Sequence, residues 1–175
     1  MDFMFRNVIV RGEEFGRRVY TRALVRFSSF IRVNLAYVKI DGGSFVGNGW
    51  ERCNLFGMQL SEAQVERDQF IYCSMGSSKW KRTTLEGVEF CETACTGSIW
   101  REVTMENCHF QKCNLRGMCF RDSVMEQVVF LECIFDDTDM EKVRMSGVLF
   151  IDCMFQGKQK LPQTGYQLKN CRFER

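Results

Sequence analysis

Residues 88–110 read VEFCETACTGSIWREVTMENCHF, and a five-residue rhythm runs through the whole stretch. Each unit holds a small residue, a variable residue, an apolar and mostly large residue, and two further variable residues. The small and apolar positions are Val88 and Phe90, Thr93 and Cys95, Ser98 and Trp100, Val103 and Met105, and Cys108 and Phe110. The rhythm continues outward without a break, because all 27 residues taken in steps of five from Val25 to Phe155 are apolar. In a chain that is 45% apolar, chance produces such a run about once in 10⁹ trials, so the period belongs to the fold.

A period of five fits neither an α-helix nor a simple strand. Two inward residues separated by one outward residue form a short strand, and the rest of each unit turns a corner. Phenylalanine indicates the number of corners, because it recurs every 20 residues. These positions, a predicted core ladder, are Phe30, Trp50, Phe70, Phe90, Phe110, Phe130 and Phe150. Four units make one coil, so the sequence predicts an all-β, four-sided parallel β-helix, a solenoid with 20 residues per coil and about seven coils.

Several units carry an acidic or amide residue between the small and the large position. They are Val33-Asn34-Leu35, Cys53-Asn54-Leu55, Cys113-Asn114-Leu115 and Thr138-Asp139-Met140. These units resemble the loose consensus of the pentapeptide-repeat family, A-(D/N)-L-x-x, and the resemblance covers residues 23–155. It implies a right-handed four-sided β-helix. Ala is rare at the small position and Phe, Met and Trp are common at the large one, so the resemblance indicates no subfamily.

The chain reads as one domain over residues 1–175, regular from 23 to 155. Before the regular part, Glu13 and Arg18 fall on inward small positions, where a charge is costly unless it is paired or exposed. Residues 11–22 are therefore predicted to form a loose first coil or an excursion.

The repeat also changes near the carboxyl end. Residues 157–165 break the pattern and are predicted to form a loop, and residues 166–173 resume it as a final partial coil in a shifted register. The two ends of a β-helix are exposed sheet edges. We expect these edges either to pair with another copy or to continue into a longer protein.

Composition narrows the class of protein. The net charge of +2 gives no strong attraction to nucleic acid or to acidic lipid. No apolar run approaches the length of about 18 residues that a transmembrane helix needs, and the first residues do not resemble a signal peptide. We therefore expect a cytoplasmic protein with no membrane contact.

The ten cysteines follow the repeat rather than a disulfide or metal pattern. Cys53, Cys73, Cys113, Cys133 and Cys153 are separated by 20 residues or by a multiple of 20. The nearest pair, Cys91 and Cys95, has no matching pair, and the single His109 cannot complete a zinc set. We expect free thiols that pack as small apolar residues, with no metal and no cofactor.

Two groups of residues are candidates for a site. Ser28, Asn48 and Asp68 stack at inward positions as a predicted buried polar ladder, which either satisfies its own hydrogen bonds or binds a ligand. We favour the first reading, in which Asp68 is bonded by Asn48 or by backbone amides. The second group is a predicted apolar interface in the later coils: Val129, Leu131, Leu149, Ile151, Ile134 and Met154. The alternatives are that these are ordinary isolated aliphatic residues, or that loop 157–165 covers them.

Charge is uneven along the chain. Residues 1–35 have seven arginines against three acidic residues. We interpret this as a solvated face and disfavour direct nucleic-acid binding, because aromatic residues suited to base stacking are not evident. Acidic residues gather in the later coils: Glu126, Glu132, Asp136, Asp137, Asp139 and Glu141.

The sequence favours a non-catalytic, rigid binding module over an enzyme. No set of catalytic residues is suggested, and His109 lies at an outward position. The expected partner is a protein, or a second copy that pairs through an end or through the apolar patch. The alternative comes from the resemblance: some pentapeptide-repeat proteins inhibit or protect DNA gyrase, a type II topoisomerase, by mimicking DNA, which requires a strongly acidic surface.

Overall fold

The computed structural model describes residues 1–174. The chain forms an all-β, right-handed parallel solenoid of about nine turns with about 20 residues in each. Phe70 pairs with Phe90, and Phe90 pairs with Phe110, so each residue lies beside the one 20 positions earlier. The predicted β-helix is confirmed, but about seven coils was too few, since strands before Ala23 and after Phe155 also join the sheets.

We number the four faces in the order in which the chain meets them. Face 1 contains the strands Asp2–Arg6, Arg22–Arg26, Thr84–Glu86, Thr104–Glu106, Val124–Glu126 and Arg144–Ser146. Face 2 contains Ile9–Arg11, Ser29–Ile31, Gly49–Glu51, Gln69–Ile71, Glu89–Cys91, His109–Gln111, Val129–Leu131, Val148–Ile151 and Tyr166–Lys169. Each face is a flat parallel sheet that runs along the rod.

Faces 3 and 4 are paired less extensively. Face 3 contains Ile134–Asp136, Met154–Gln156 and Arg172–Glu174, preceded by single bridges from Glu14 to Asn114. Face 4 contains Val19–Tyr20, Lys79–Lys81 and Ile99–Arg101, followed by single bridges at Cys119 and Asp139. Two long strands, Lys39–Val46 and Gln59–Glu66, turn from face 4 to face 1 without interruption. Within residues 1–174, no helix has the length and apolar character that crossing a bilayer requires.

The corners share one backbone conformation. The second residue after the large residue has a positive φ at every corner from Phe27 to Gly157, which glycine adopts readily and other residues adopt at a cost of about 1–2 kcal/mol. Most corners nevertheless hold other residues, with φ between 46° and 64°. The corner amide donates to the next coil, as from Phe27 N to Val46 O and from Tyr37 N to Phe56 O, both at 2.9 Å. These ladder hydrogen bonds hold the strained corners in place.

Aromatic rings stack along the interior of face 2. Neighbouring ring centroids from Phe30 to Phe150 lie 4.1–5.8 Å apart, and the planes are within 20° of parallel. A second stack joins Trp80 and Trp100 at 4.5 Å. Beside the ladder, thiols donate to carbonyl oxygens of the previous coil, as from Cys133 Sγ to Phe110 O at 3.4 Å. All ten cysteines are free, and the core is continuous from Phe3 to Phe155.

The first coil is regular, which differs from the predicted loose coil or excursion over residues 11–22. Glu14 bridges Asn34, and the strand Val19–Tyr20 pairs with Lys39 and Ile40. The side chains of Glu13 and Arg18 are exposed despite their inward positions. No earlier coil of the described chain lies over them, so the charges remain in water and the pattern tolerates them.

Residues 157–165 form no strand and connect face 3 directly to face 2. They take the place of one face 4 segment and one face 1 segment, so the last coil is offset by 18 residues and Phe155 pairs with Phe173. The amide of Lys158 donates to Asp137 Oδ1 at 2.9 Å, and Lys160 pairs with Glu141 at 3.6 Å. Gly165 passes so close to the Met145 carbonyl that no Cβ could fit there.

Candidate protein-interaction surface

Four of the predicted interface residues form a two-by-two array on face 2, which we call the face 2 patch. Val129 pairs with Leu149, and Leu131 pairs with Ile151, in adjacent strands. Because residues alternate across a strand, Phe130 and its partner point inward while the four aliphatic side chains point outward. All four are half-buried, as expected for outward side chains that pack against each other on a flat sheet.

Polar residues border the face 2 patch along the rod. His109 and Gln111, in the strand before it, pair with Val129 and Leu131. Gln167 and Lys169, in the strand after it, pair with Leu149 and Ile151. The His109 Nε2 atom is buried and has no hydrogen-bond partner within residues 1–174. Lys158 and Lys160 of loop 157–165 bond to Asp137 and Glu141, and the Gly165 carbonyl accepts from the Val148 amide at 3.2 Å, so none of these contacts reaches the four outward aliphatic side chains. The patch is therefore a bounded apolar surface with an unpaired imidazole nitrogen beside it.

The other two predicted interface residues lie elsewhere. Ile134 and Met154 pair with each other in strands of face 3, rather than at the corner next to the patch. The corner between the two faces carries the exposed acidic residues Glu132 and Asp152. The structure thus divides the six predicted residues into an array of four and a separate pair.

The predicted polar ladder is a closed hydrogen-bond network. Asp68 Oδ1 accepts from the backbone amide of Asn48 at 2.8 Å and from its side-chain amide at 3.1 Å. Asp68 Oδ2 accepts from Trp50 Nε1 at 2.9 Å. Asn48 in turn accepts from the amide of Ser28 at 3.0 Å and donates to Val25 O. Every member is buried and bonded to another, which is the arrangement of a self-satisfied ladder rather than an open ligand site.

Burial dominates the titration of Asp68. It raises the pKa of this carboxyl to about 6, while the hydrogen bonds from Trp50 and Asn48 oppose the shift. Sequence reasoning missed Trp50 as a partner. The spacing contained a signal for this partner. Trp50 lies two residues after Asn48, so both side chains point to the same inward side, one coil before Asp68.

A second surface feature runs along the corner between faces 1 and 2, and we call it the charge column. Strand pairing places seven residues in one line: Arg6, Arg26, Val46, Glu66, Glu86, Glu106 and Glu126. Two arginines thus stand at one end and four glutamates in consecutive coils at the other. These seven residues are also 20 apart in the sequence, so the spacing that predicts the Phe ladder could have predicted the charge column, but the sequence analysis did not identify it.

The first coils present exposed aromatic rings beside arginines. The guanidinium of Arg17 lies 5.4 Å from the centre of the Tyr37 ring, and that of Arg52 lies 5.6 Å from the centre of the Tyr72 ring. Both tyrosines occupy positive-φ corners, so their rings project from the rod. The sequence analysis interpreted the arginines of residues 1–35 as a solvated face and named neither the Arg17–Tyr37 pair nor the Arg52–Tyr72 pair.

Some acidic residues of the later coils are paired. Arg121 bonds to Asp139 at 2.7 Å and to Glu141 at 3.0 Å. Within residues 1–174, no group of three His, Cys, Asp or Glu side chains has an arrangement that could hold a metal ion. Pairing with arginine lowers the negative charge of this part of the surface.

Comparison with known proteins identifies pentapeptide repeats in part of the chain and a known fold for the whole. A family model described as pentapeptide repeats (9 copies) matches residues 101–144. No curated protein matches the chain. The solved structure of HetL, a pentapeptide repeat protein involved in heterocyst differentiation regulation from the cyanobacterium Nostoc sp. strain PCC 7120, is 11% identical. The match covers 95% of this chain and 86% of HetL with a TM-score of 0.50, so the two share a fold.

QnrB1, a plasmid-mediated fluoroquinolone resistance protein, is also similar. A trypsin-treated variant of it matches with 14% identity and a TM-score of 0.46, over 95% of this chain and 91% of that protein. The family match lies within the five-residue repeat that runs without a break from residue 23 to residue 155. Residues 101–144 of this chain are pentapeptide repeats, and the whole chain shares its fold with HetL, a pentapeptide repeat protein.

Proposed function

We propose that the chain is a rigid, non-catalytic binding module that recognises a protein through the face 2 patch. The observation that carries this proposal is the two-by-two array of Val129, Leu131, Leu149 and Ile151 on a flat sheet. Contiguous apolar surface bordered by polar residues is typical of protein interfaces. His109 and Lys169 provide a polar rim on either side of the array.

The interior supports recognition without rearrangement. The rings of Phe110, Phe130 and Phe150 stack behind the patch with centroids 4.8–5.0 Å apart. Cys133 and Cys153 close the adjoining corner by donating to carbonyl oxygens of the previous coil. A surface that is already ordered loses little conformational entropy on binding, which favours affinity from a small contact area.

A photo-crosslinking amino acid at Val129 tests the patch. In cells that express the chain, we expect one discrete crosslinked protein. We expect the double variant Leu131→Asp with Ile151→Asp to reduce the yield of this crosslink at least about tenfold, because each change places a charge in the contact. Ile71→Asp is the matched control, because Ile71 occupies the same outward column of face 2 three coils earlier. Equal yields from the double variant and the control would refute the patch as an interface.

DNA mimicry directed at gyrase is the second candidate function, and the charge column favours it. Glu66, Glu86, Glu106 and Glu126 form a straight row of negative charge with the spacing of adjacent strands, about 4.8 Å. Supercoiling by purified gyrase is the test. Inhibition or quinolone protection that disappears when Glu86, Glu106 and Glu126 are changed to Gln would support mimicry, and no effect of the unmodified chain at micromolar concentration would exclude it.

A further inference from the structure

The glutamate end of the charge column is unfavourable in the isolated chain. Glu86, Glu106 and Glu126 pair directly with one another across parallel strands, where like charges destabilise a sheet. None of the three makes an ion pair within residues 1–174, and Glu66 has only Arg67, at 3.9 Å. A row of unpaired like charges on a rigid surface is relieved when a partner supplies the opposite charge.

The other end of the same column carries that charge. Arg6 and Arg26 pair in register on face 1, and neither makes an ion pair within the described chain. The charge column therefore reads positive, positive, neutral, and then four times negative. Turned end for end, the same column presents arginines opposite glutamates.

We propose that the charge column binds a second copy of this chain in antiparallel orientation. Three coils separate Glu66 from Arg6, and three separate it from Glu126, so a two-fold axis beside Glu66 aligns the two rods. Arg6 then faces Glu126 of the second copy, and Arg26 faces Glu106 of the second copy. Each contact occurs twice, which gives four ion pairs across the interface.

The middle of the column adds no further ion pair. Val46 is uncharged and faces Glu86 of the second copy. The neighbouring corners are Gly47 and Gly87, with the Phe27 ring beside Gly47 and the Arg67 side chain beside Gly87. At the axis each Glu66 faces its equivalent, and Arg67, 3.9 Å from Glu66 in its own copy, offsets the two negative charges. In a parallel pair, by contrast, every arginine and every glutamate would face its own kind. The charges therefore select the antiparallel arrangement.

This interface lies on a different surface from the face 2 patch and goes beyond the proposed function, so each can fail without the other. Sedimentation velocity measures it directly. We expect the unmodified chain to dimerise at about 0.1 M salt and to dissociate at about 1 M salt, where the Debye length falls to about 3 Å. A chain that remains monomeric at about 0.1 M salt and a concentration of about 100 μM would overturn the proposal. Such a result would mean a Kd weaker than about 100 μM, which corresponds to a binding free energy of about −5.5 kcal/mol.

Charge reversal separates pairing from a loss of folding. Arg6→Glu with Arg26→Glu, and separately Glu106→Arg with Glu126→Arg, should each weaken self-association at least about tenfold. An equimolar mixture of the two variants should form a heterodimer, and all four changes in one chain should restore the homodimer. Circular dichroism checks that each variant is folded.

The alternatives give different results. Two variants that stay monomeric when mixed would contradict the antiparallel pairing. A dimer that survives charge reversal but is lost in Leu131→Asp with Ile151→Asp would place the second copy on the face 2 patch, and the charge column would then have no role in assembly.

Discussion

Two halves of one inward column share a backbone and differ in chemistry. In the early coils the slot at the start of face 2 holds Ser28, Asn48 and Asp68, and in the later coils it holds Val88, Cys108, Val128 and Val148. Strand pairing on face 1 continues in the same register through both halves. The comparison teaches that the slot selects for size, while polarity is tolerated wherever donors and acceptors are matched.

The polar half achieves its match through particular neighbours. Trp50 supplies a donor that Phe at the equivalent position of other coils cannot, and Asn48 bonds on both sides. The apolar half needs no such set, because Val128 and Val148 are satisfied by packing. A buried carboxylate is stable only while its partners remain, and replacing such a group by apolar residues is often neutral.

The largest effect is expected from Asn48→Leu. The change removes the side-chain amide from Asp68 and leaves a buried carboxylate with only the Asn48 backbone amide and Trp50. We expect the free energy of unfolding to fall by about 4 kcal/mol at neutral pH, measured by urea denaturation. Met58→Leu, in an inward slot of the same coil, is the control and should cost less than about 1.5 kcal/mol. A loss below that control value would show that Asp68 does not depend on Asn48.

The next effect is on the pH dependence of stability. The pKa of Asp68 is about 6 in the folded chain, above its ordinary value of 3.8, so the folded state retains a proton that the unfolded chain releases. This contribution to stability is full below about pH 4 and is lost as pH rises to about 6, a change of about 3 kcal/mol. Urea denaturation across this range should show the decline relative to Asp68→Asn. Parallel profiles for the two proteins would rule out the titration of Asp68.

The smallest effect compares two buried tryptophans. Trp50 Nε1 donates to Asp68, whereas Trp80 Nε1 is buried without a partner in the described chain. Both Trp→Phe changes remove similar volume, but only Trp50→Phe removes a hydrogen bond to a carboxylate. We expect Trp50→Phe to cost about 2 kcal/mol more than Trp80→Phe in thermal or urea unfolding. Equal losses would mean that packing alone explains the role of Trp50.

The fold was largely predictable because its signal is repeated in every coil. The interior positions of the Phe ladder and the shift in register before Tyr166 both follow from counting in steps of five and 20. The number of coils was underestimated because Glu13 and Arg18 interrupt the apolar pattern. At the open end of a solenoid an inward position faces water, so a charged residue there does not show that the repeat has ended.

The surface was less predictable, since outward residues obey no periodic constraint. The face 2 patch was anticipated from adjacent aliphatic residues, but Ile134 and Met154 fall on another face because a corner intervenes. The exposure of the Tyr37 ring depends on a positive φ at this corner, which the residue type tyrosine does not predict. Partners such as Trp50 and Asp68 come from different coils, and their meeting depends on side-chain direction as well as spacing.

The 18-residue offset of the last coil has a consequence for how such a rod can change length. Duplicating any 20-residue segment of the regular part would add one coil and leave all outward columns aligned. Duplicating a single unit of five would instead rotate everything beyond it by a quarter turn. Loop 157–165 shortens the coil by two residues and still returns the chain to face 2. We therefore expect insertions or deletions in this loop to leave the arrangement of the outward columns unchanged.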